Sequence, residues 1–237
     1  MKIALIGYGK MGKAIEAFAL TQNHEIVKKF DLDTPLVAPE QLFGVDAAIE
    51  FTQPSTAVGH ISVCFLANVP VVVGTTGWYG ELAAVRAACV AQNQALFTAT
   101  NFSVGVYIFW QINKALAKIM DTQPQYEPQI TEVHHTQKLD APSGTAITTA
   151  EYMLPELSRK SRWVLGEGKN DELGIVAIRK NDVPGTHTVA YQSAVDGLEL
   201  THTAHNRSGF AQGAVLAAQW LVGKKGVFTM SDMLPMG

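Results

Sequence analysis

Short apolar runs alternate with helical apolar stripes over the first hundred residues. Ile3-Ala4-Leu5-Ile6, Glu25–Phe30, Ala47–Phe51, Pro70–Val73 and Ala95–Ala99 read as strands. Between them, Met11, Ile15, Phe18 and Ala19, then Val58, Ile61, Cys64 and Phe65, then Leu82–Gln92, recur at the spacing of helices. Strands that alternate with helices predict a parallel sheet with right-handed crossovers, the α/β class. From Val104 to Lys118 a helix is expected, with Val106, Ile108, Phe109, Ile112 and Leu116 on its apolar face. The second half reads differently. Gln129–His134 is a strand, Pro142–Leu154 a helix, and Ser158–Glu172 a polar stretch without regular structure. Three more strands follow, Gly174–Arg179, Thr186–Gln192 and Gly197–Ala204, with turns at Pro184-Gly185 and Asp196-Gly197 that favour antiparallel pairing. The pattern predicts an α+β domain with a four-stranded mixed sheet. Its uncovered face, including Val176, Ile178, Val189 and Tyr191, is expected to meet another subunit. A helix from Arg207 through Trp220 to Gly223 ends the regular pattern, with a tail over 226–234.

The first strand stops at Gly7-Tyr8-Gly9-Lys10-Met11-Gly12, and a helix follows at once. Strand, G-x-G-x-x-G, helix is the context of a dinucleotide-binding loop, with the pyrophosphate on the helix N-terminus. Asp31, at the end of the second strand, stands where an acid holds the adenosine ribose hydroxyls; the alternative is a turn residue before Asp33-Thr34-Pro35. Two more polar loops end strands: Gly74-Thr75-Thr76-Gly77, and Ala99-Thr100-Asn101-Phe102. Each has a bland reading, as a turn and as a helix cap. Ligands in such sheets gather at the carboxyl ends of strands, so three coinciding loops favour one cofactor.

Composition adds bounds. Hydrophobic residues make up 47% of the 237-residue chain and charged ones 16%, as in ordinary globular proteins, and the net charge is −3. Neither a nucleic-acid partner nor a membrane partner is expected, since no basic patch and no long apolar span occurs. Cys64 and Cys89 lie in apolar helical patterns and read as buried reduced thiols, which fits the cytoplasm.

The stretch from Glu132 to Ala146, Glu-Val-His-His-Thr-Gln-Lys-Leu-Asp-Ala-Pro-Ser-Gly-Thr-Ala, carries the candidate chemistry. It offers imidazoles that titrate near neutral pH, a fixed positive charge, and a turn opening a helix whose amides can hold an anion. A His-His pair alone is more often structural. The whole stretch, however, resembles the signature of the dihydrodipicolinate reductase family, E-x-H-H-x-x-K-x-D-A-P-S-G-T-A, and matches it at every fixed position. The N-terminal glycine loop, Gly74–Gly77, Asn101–Gly105 and the segment around Arg207 and Phe210 extend the resemblance along the whole chain.

That resemblance implies reduction of 4-hydroxy-tetrahydrodipicolinate, through its dehydrated ring, to tetrahydrodipicolinate by NADH or NADPH. It makes His134 the acid/base and Lys138 the proton donor, puts His135 against the substrate, and gives Gly144 and Thr145 a substrate carboxylate. It further implies a dinucleotide domain of residues 1–103 and 208–237, a substrate-binding and oligomerisation domain of 104–207, and a homotetramer. The carboxylate at Asp31, followed by Leu32 where an arginine would serve a 2′-phosphate, favours NADH with NADPH still accepted; Lys28 or Lys29 could reach that phosphate.

Three rivals remain at this stage. His134, His135, His187, His202 and His205 could be collected around zinc, but adjacent strand residues face opposite ways and no ligand spacing recurs, so no metal is expected. Another Rossmann oxidoreductase acting on an amino-acid-derived substrate would share the first domain but lack the His-His-x-x-Lys stretch, and a non-catalytic redox sensor would account for the glycine loop but leave the anion turn unused. Ser143 is read as structural, with no base–orienter pair beside it.

Overall fold

Strand β1 (Lys2–Ile6) is buried from its second residue onward and feeds helix α1 (Lys10–Thr21) through the glycine loop. The chain continues through β2 (Glu25–Phe30), β3 (Ala47–Glu50), α2 (Pro54–Leu66), β4 (Val71–Val73), α3 (Leu82–Ala91) and β5 (Ala95–Thr98). The computed structural model describes residues 1–206 and 208–235. Two units result: Met1–Ser103 with Ser208–Gly237, and Val104–Arg207.

The first unit holds a parallel six-stranded sheet in which β1 lies between β2 and β3, the reversal point of a doubly wound fold. β3, β4 and β5 are buried along their whole length, as parallel strands covered on both faces must be. The edge strand β2 instead exposes Lys28 and Lys29, charges that discourage further strand pairing. Gly12 permits the close approach of α1 to the loop: an added Cβ would lie 2.3 Å from the Gly7 carbonyl oxygen.

In the second unit, α4 (Val104–Asp121) and α5 (Gly144–Met153) cover one face of a sheet built from β6 (Glu127–His134), β7 (Arg162–Leu165), β8 (Glu172–Arg179), β9 (Gly185–Gln192) and β10 (Gly197–Ala204). Its core joins Phe109, Trp110 and Met153 to Ile130, Ile175, Val189 and Tyr191. Ile130 is fully buried, and truncating it to alanine should cost about 2–5 kcal/mol.

Three expectations need correction here. The sheet has five strands, in the order β10-β9-β6-β8-β7. β7 lies in the polar stretch expected to be irregular; Arg162-Trp163-Val164-Leu165 is short and partly exposed at the sheet edge, so its alternation is weak. β8 and β9 do not pair across Pro184-Gly185. β6 inserts between them, parallel to β8 and antiparallel to β9. Finally, Val189 and Tyr191 face the helices and are fully buried, while Ile178 is exposed.

The chain then returns to the first unit as α6 (Ser208–Leu221), β11 (Gly226–Phe228) and α7 (Met230–Met233). The sequence pattern over 226–234 predicts a tail, yet β11 pairs parallel with β5 and completes the six-stranded sheet. Arg207 lies outside the described residues. No helix among the described residues is long and apolar enough to cross a membrane.

Candidate functional site

In the first unit the glycine loop is shaped for close backbone approach. Gly7 has φ +94°, and a Cβ there would lie 2.0 Å from the Phe51 carbonyl oxygen. Gly9 is the opposite case: a Cβ there would meet nothing within 4 Å, leaving room for a pyrophosphate at the start of α1. Lys10 and Met11 open that helix. The residues present therefore fit a dinucleotide.

The other candidate cofactor residues divide. Gly74 sits against the Phe51 ring, 2.1 Å from where its Cβ would be, so it too admits no side chain. Thr75 is buried and its hydroxyl accepts from the Thr52 amide at 2.7 Å, a structural duty, while Thr76 is exposed. Ala99 is half-buried and Thr100 exposed. Asn101 accepts from the Ser103 amide at 2.8 Å, an Asx turn leading into α4. Phe102 is buried against Phe51 and Phe97, so only its backbone is available to a ligand.

Asp31 follows β2, and of its two expected characters it takes that of the turn residue. Its Oδ1 accepts from the Asp33 amide at 3.0 Å, the Thr34 amide at 2.9 Å and the Thr34 hydroxyl at 2.9 Å, which makes it a turn residue. Hydrogen bonds from Thr34, then Asp33, hold its carboxyl below the usual range, so it remains an anion. Lys29 is engaged elsewhere, 2.6 Å from Glu16 and 3.1 Å from the Tyr8 hydroxyl. Tyr8 in turn donates a short hydrogen bond to Glu16.

In the second unit, alternation along β6 puts Glu132 and His134 on one side, and the ladder sets His187 of β9 opposite Glu132. Glu132 Oε2 lies 3.5 Å from His134 Nε2 and 3.7 Å from His187 Nε2, and the two imidazole nitrogens are 3.3 Å apart. Both Glu132 oxygens lie 3.1 Å from the Ser143 amide. Burial pushes the Glu132 carboxyl up, but hydrogen bonds from His134, His187 and Ser143 outweigh it and hold the group well below the carboxylate range. Glu132 is thus a fully buried anion.

Arg179 of β8 is its counter-ion at 3.2 Å, and the same guanidinium donates to the carbonyls of Asp140 at 2.6 Å and Lys138 at 3.3 Å. These bonds shape the loop that carries Lys138. The Lys138 ammonium lies 2.8 Å from each oxygen of Asp140. Asp140 therefore does more than shape a turn: it occupies the lysine with an internal carboxylate. His135 is half-buried.

Helix α5 begins at Gly144 and Thr145, capped by the Ser143 hydroxyl, which accepts from the Ala146 amide at 3.2 Å. Ser143 also lies 3.2 Å from His187 Nε2. An imidazole and a carboxylate do stand beside Ser143, contrary to expectation. They do not make an acyl-transfer triad, because Ser143 and Glu132 meet the same imidazole nitrogen, and a triad needs the carboxylate on the other one. The zinc reading is met in part. Glu132, His134 and His187 bring ligand atoms within 4.8 Å of one another, by a cross-strand neighbour that spacing alone does not reveal. The carboxylate is already matched by Arg179 and the Ser143 amide, and the group reads as a hydrogen-bonded cluster. Glu132, Arg179 and His187 were missed as site residues. Period-two alternation along β6 is the signal that places the first beside His134, whereas the other two reach it only through the strand order.

A parallel sheet reversing direction beside a glycine loop of this geometry places the chain among the Rossmann-type dinucleotide-binding proteins. Residues 1–102 match the family model described as dihydrodipicolinate reductase, N-terminus, and residues 105–234 match its C-terminus counterpart. The chain belongs to the dihydrodipicolinate reductase family. It is 47% identical over 236 residues to a 4-hydroxy-tetrahydrodipicolinate reductase of Christiangramia forsetii, covering 99% of this chain and 98% of that one. A relative of the same name from Methanoregula boonei is 33% identical over 251 residues, covering 98% and 97%. Among solved structures, a dipicolinate-bound dihydrodipicolinate reductase from Paenisporosarcina sp. TG-14 shares the fold, with TM-score 0.82, 22% identity and 99% of each chain covered.

Proposed function

We propose that this protein reduces 4-hydroxy-tetrahydrodipicolinate, by way of the dehydrated dihydrodipicolinate ring, to tetrahydrodipicolinate in the diaminopimelate route to lysine. The observation that carries the reading is the 47% identity to a reductase of that name along nearly the whole of both chains. The second unit's chemistry agrees with a cyclic dicarboxylate: a lysine, an imidazole on a buried anion, and a helix N-terminus follow one another within residues 132–146.

A reduced nicotinamide held at the Gly7–Gly12 loop would supply the hydride that a conjugated ring carbon takes up. The negative charge this leaves must be quenched by a proton. His134 is the acid/base and Lys138 the proton donor in this reading, each contributing about 10²–10⁴-fold if the proton is in flight in the transition state. His135 contacts the ring. The Gly144 and Thr145 amides, with the Thr145 hydroxyl, receive a carboxylate at the start of α5, where the helix dipole favours an anion. Lys138 exchanges Asp140 for a substrate carboxylate on binding.

The cofactor is NADH by preference, with NADPH accepted. An anionic Asp31 repels a 2′-phosphate, and Lys29, the nearby cation, is neutralised by Glu16. The enzyme works in the cytoplasm, where its two buried free thiols remain reduced. It assembles as a homotetramer, which would cover Leu165, Ile178 and Leu198, left exposed on the second sheet.

The test is loss of reduced-nicotinamide absorbance when the freshly made cyclic substrate is added to the protein. His134→Ala and Lys138→Ala should each lower kcat at least about tenfold with cofactor affinity little changed. Dinucleotide binding without turnover in the wild type would remove the catalytic reading and favour a redox sensor.

A further inference from the structure

The start of β9 holds the His134 imidazole from several directions. The Pro184 carbonyl oxygen lies 3.2 Å from His134 Nδ1. A carbonyl can only accept, so Nδ1 keeps its hydrogen and the proton that comes and goes resides on Nε2. Gly185 comes next, buried and outside the positive-φ glycines, so its conformation is open to any residue. Its space is not: a Cβ there would lie 2.8 Å from His134 Cε1 and 3.2 Å from Nδ1. The imidazole therefore lies against bare backbone. Two residues further, on the same side of the strand, His187 brings its Nε2 within 3.3 Å of His134 Nε2 and 3.2 Å of the Ser143 hydroxyl. The two rings meet edge to face, 5.1 Å apart at 69°. Burial, partly offset by a hydrogen bond to Glu132, holds His187 below its ordinary value.

We propose that Pro184-Gly185-Thr186-His187 is the positioning element of the acid, fixing the His134 tautomer through Pro184, the ring's seat through Gly185, and the direction of Nε2 through His187. His187 also ties that nitrogen to Ser143, the residue that opens the anion-binding helix. None of these residues has to touch substrate. The inference rests on His134 being the acid/base, and the test separates the two.

Gly185→Ala, His187→Leu and His187→Gln are compared with His134→Ala, reading kcat, KM, thermal midpoint and calorimetric affinity for pyridine-2,6-dicarboxylate. Gly185→Ala and His187→Leu should each lower kcat about tenfold or more, since small misplacements of a reacting group are costly, with dicarboxylate affinity nearly unchanged. His187→Gln keeps a hydrogen-bonding group near the Nε2 position and should restore kcat to within about threefold of wild type. Full kcat in Gly185→Ala and His187→Leu beside an inactive His134→Ala would overturn the positioning role alone. Equal losses in His187→Leu and His187→Gln would reduce His187 to a space filler and overturn its part. Full kcat in His134→Ala would overturn both readings.

Discussion

Lys29 of β2 sets its ammonium 2.6 Å from the Glu16 carboxylate of α1 and 4.5 Å from the centre of the Tyr8 ring. The one lysine that alternation places on the side of Asp31 is thus spoken for. Glu16→Gln removes the competing charge and leaves Lys29 available to a 2′-phosphate. The ratio of kcat/KM for NADPH over NADH should rise about three- to tenfold at low salt and less at high salt, as for any exposed charge pair. Dissociation constants from nicotinamide fluorescence should move the same way. A ratio unchanged at low salt would show that Lys29 does not reach the adenosine end of the cofactor.

Asp140 grips Lys138 through both oxygens, and Lys138 in turn holds the Asp140 carboxyl below its usual range. A substrate carboxylate must compete with this internal one. Asp140→Asn should tighten pyridine-2,6-dicarboxylate binding about threefold or more by calorimetry, because the ligand no longer displaces a charged partner. Weaker binding would mean instead that Asp140 aims the lysine.

Thr145→Val keeps the shape of the first turn of α5 and deletes a hydroxyl. The loss of one hydrogen bond to a charged carboxylate predicts about 1–3 kcal/mol weaker dicarboxylate binding. The calorimetric Kd on the cofactor complex decides it, and an unchanged value removes the hydroxyl from the carboxylate site.

Acid should loosen the second unit in two stages. His187 is held below its ordinary 6.5 by burial first, so the unfolded chain takes up a proton there that the folded chain refuses; stability is lost as pH falls below about 6.5. Glu132, held far below its ordinary 4.5, adds stability that is present above that value and lost as pH falls through and beneath it. Burial acts on His24 and His202 in the same direction, so a wild-type curve alone does not isolate His187. The thermal midpoint of His187→Gln should therefore vary less between pH 7 and 5 than that of wild type. Parallel curves would remove His187 from the upper stage.

Local pattern made much of this legible. Period-two runs and 3.6-residue stripes located the central strands and their helices, because burial on both faces leaves long apolar runs. The glycine loop was readable because only glycine fits at Gly7 and Gly12. Two of the four edge strands were not: β7 and β11 are only three or four residues long, have one neighbour each, and carry little periodicity. The site was half legible for a related reason. His134, Lys138 and the anion turn are contiguous in sequence, whereas His187 and Arg179 reach Glu132 only through the insertion of β6 between β8 and β9. No local signal at Pro184-Gly185 distinguishes a hairpin turn from a connection that skips a strand.

The pairing of β11 with β5 bears on how the protein is made. The first unit's sheet is finished by residues 226–228, after a second unit of Val104–Arg207 has been interposed in the chain. On the ribosome the inserted unit is therefore complete while its host still lacks α6 and an edge strand. Until those residues emerge, β5 presents an open edge, and α1 lacks the helix it packs against. The order of synthesis thus exposes the first unit's sheet, not the second's, to mispairing while the chain is incomplete.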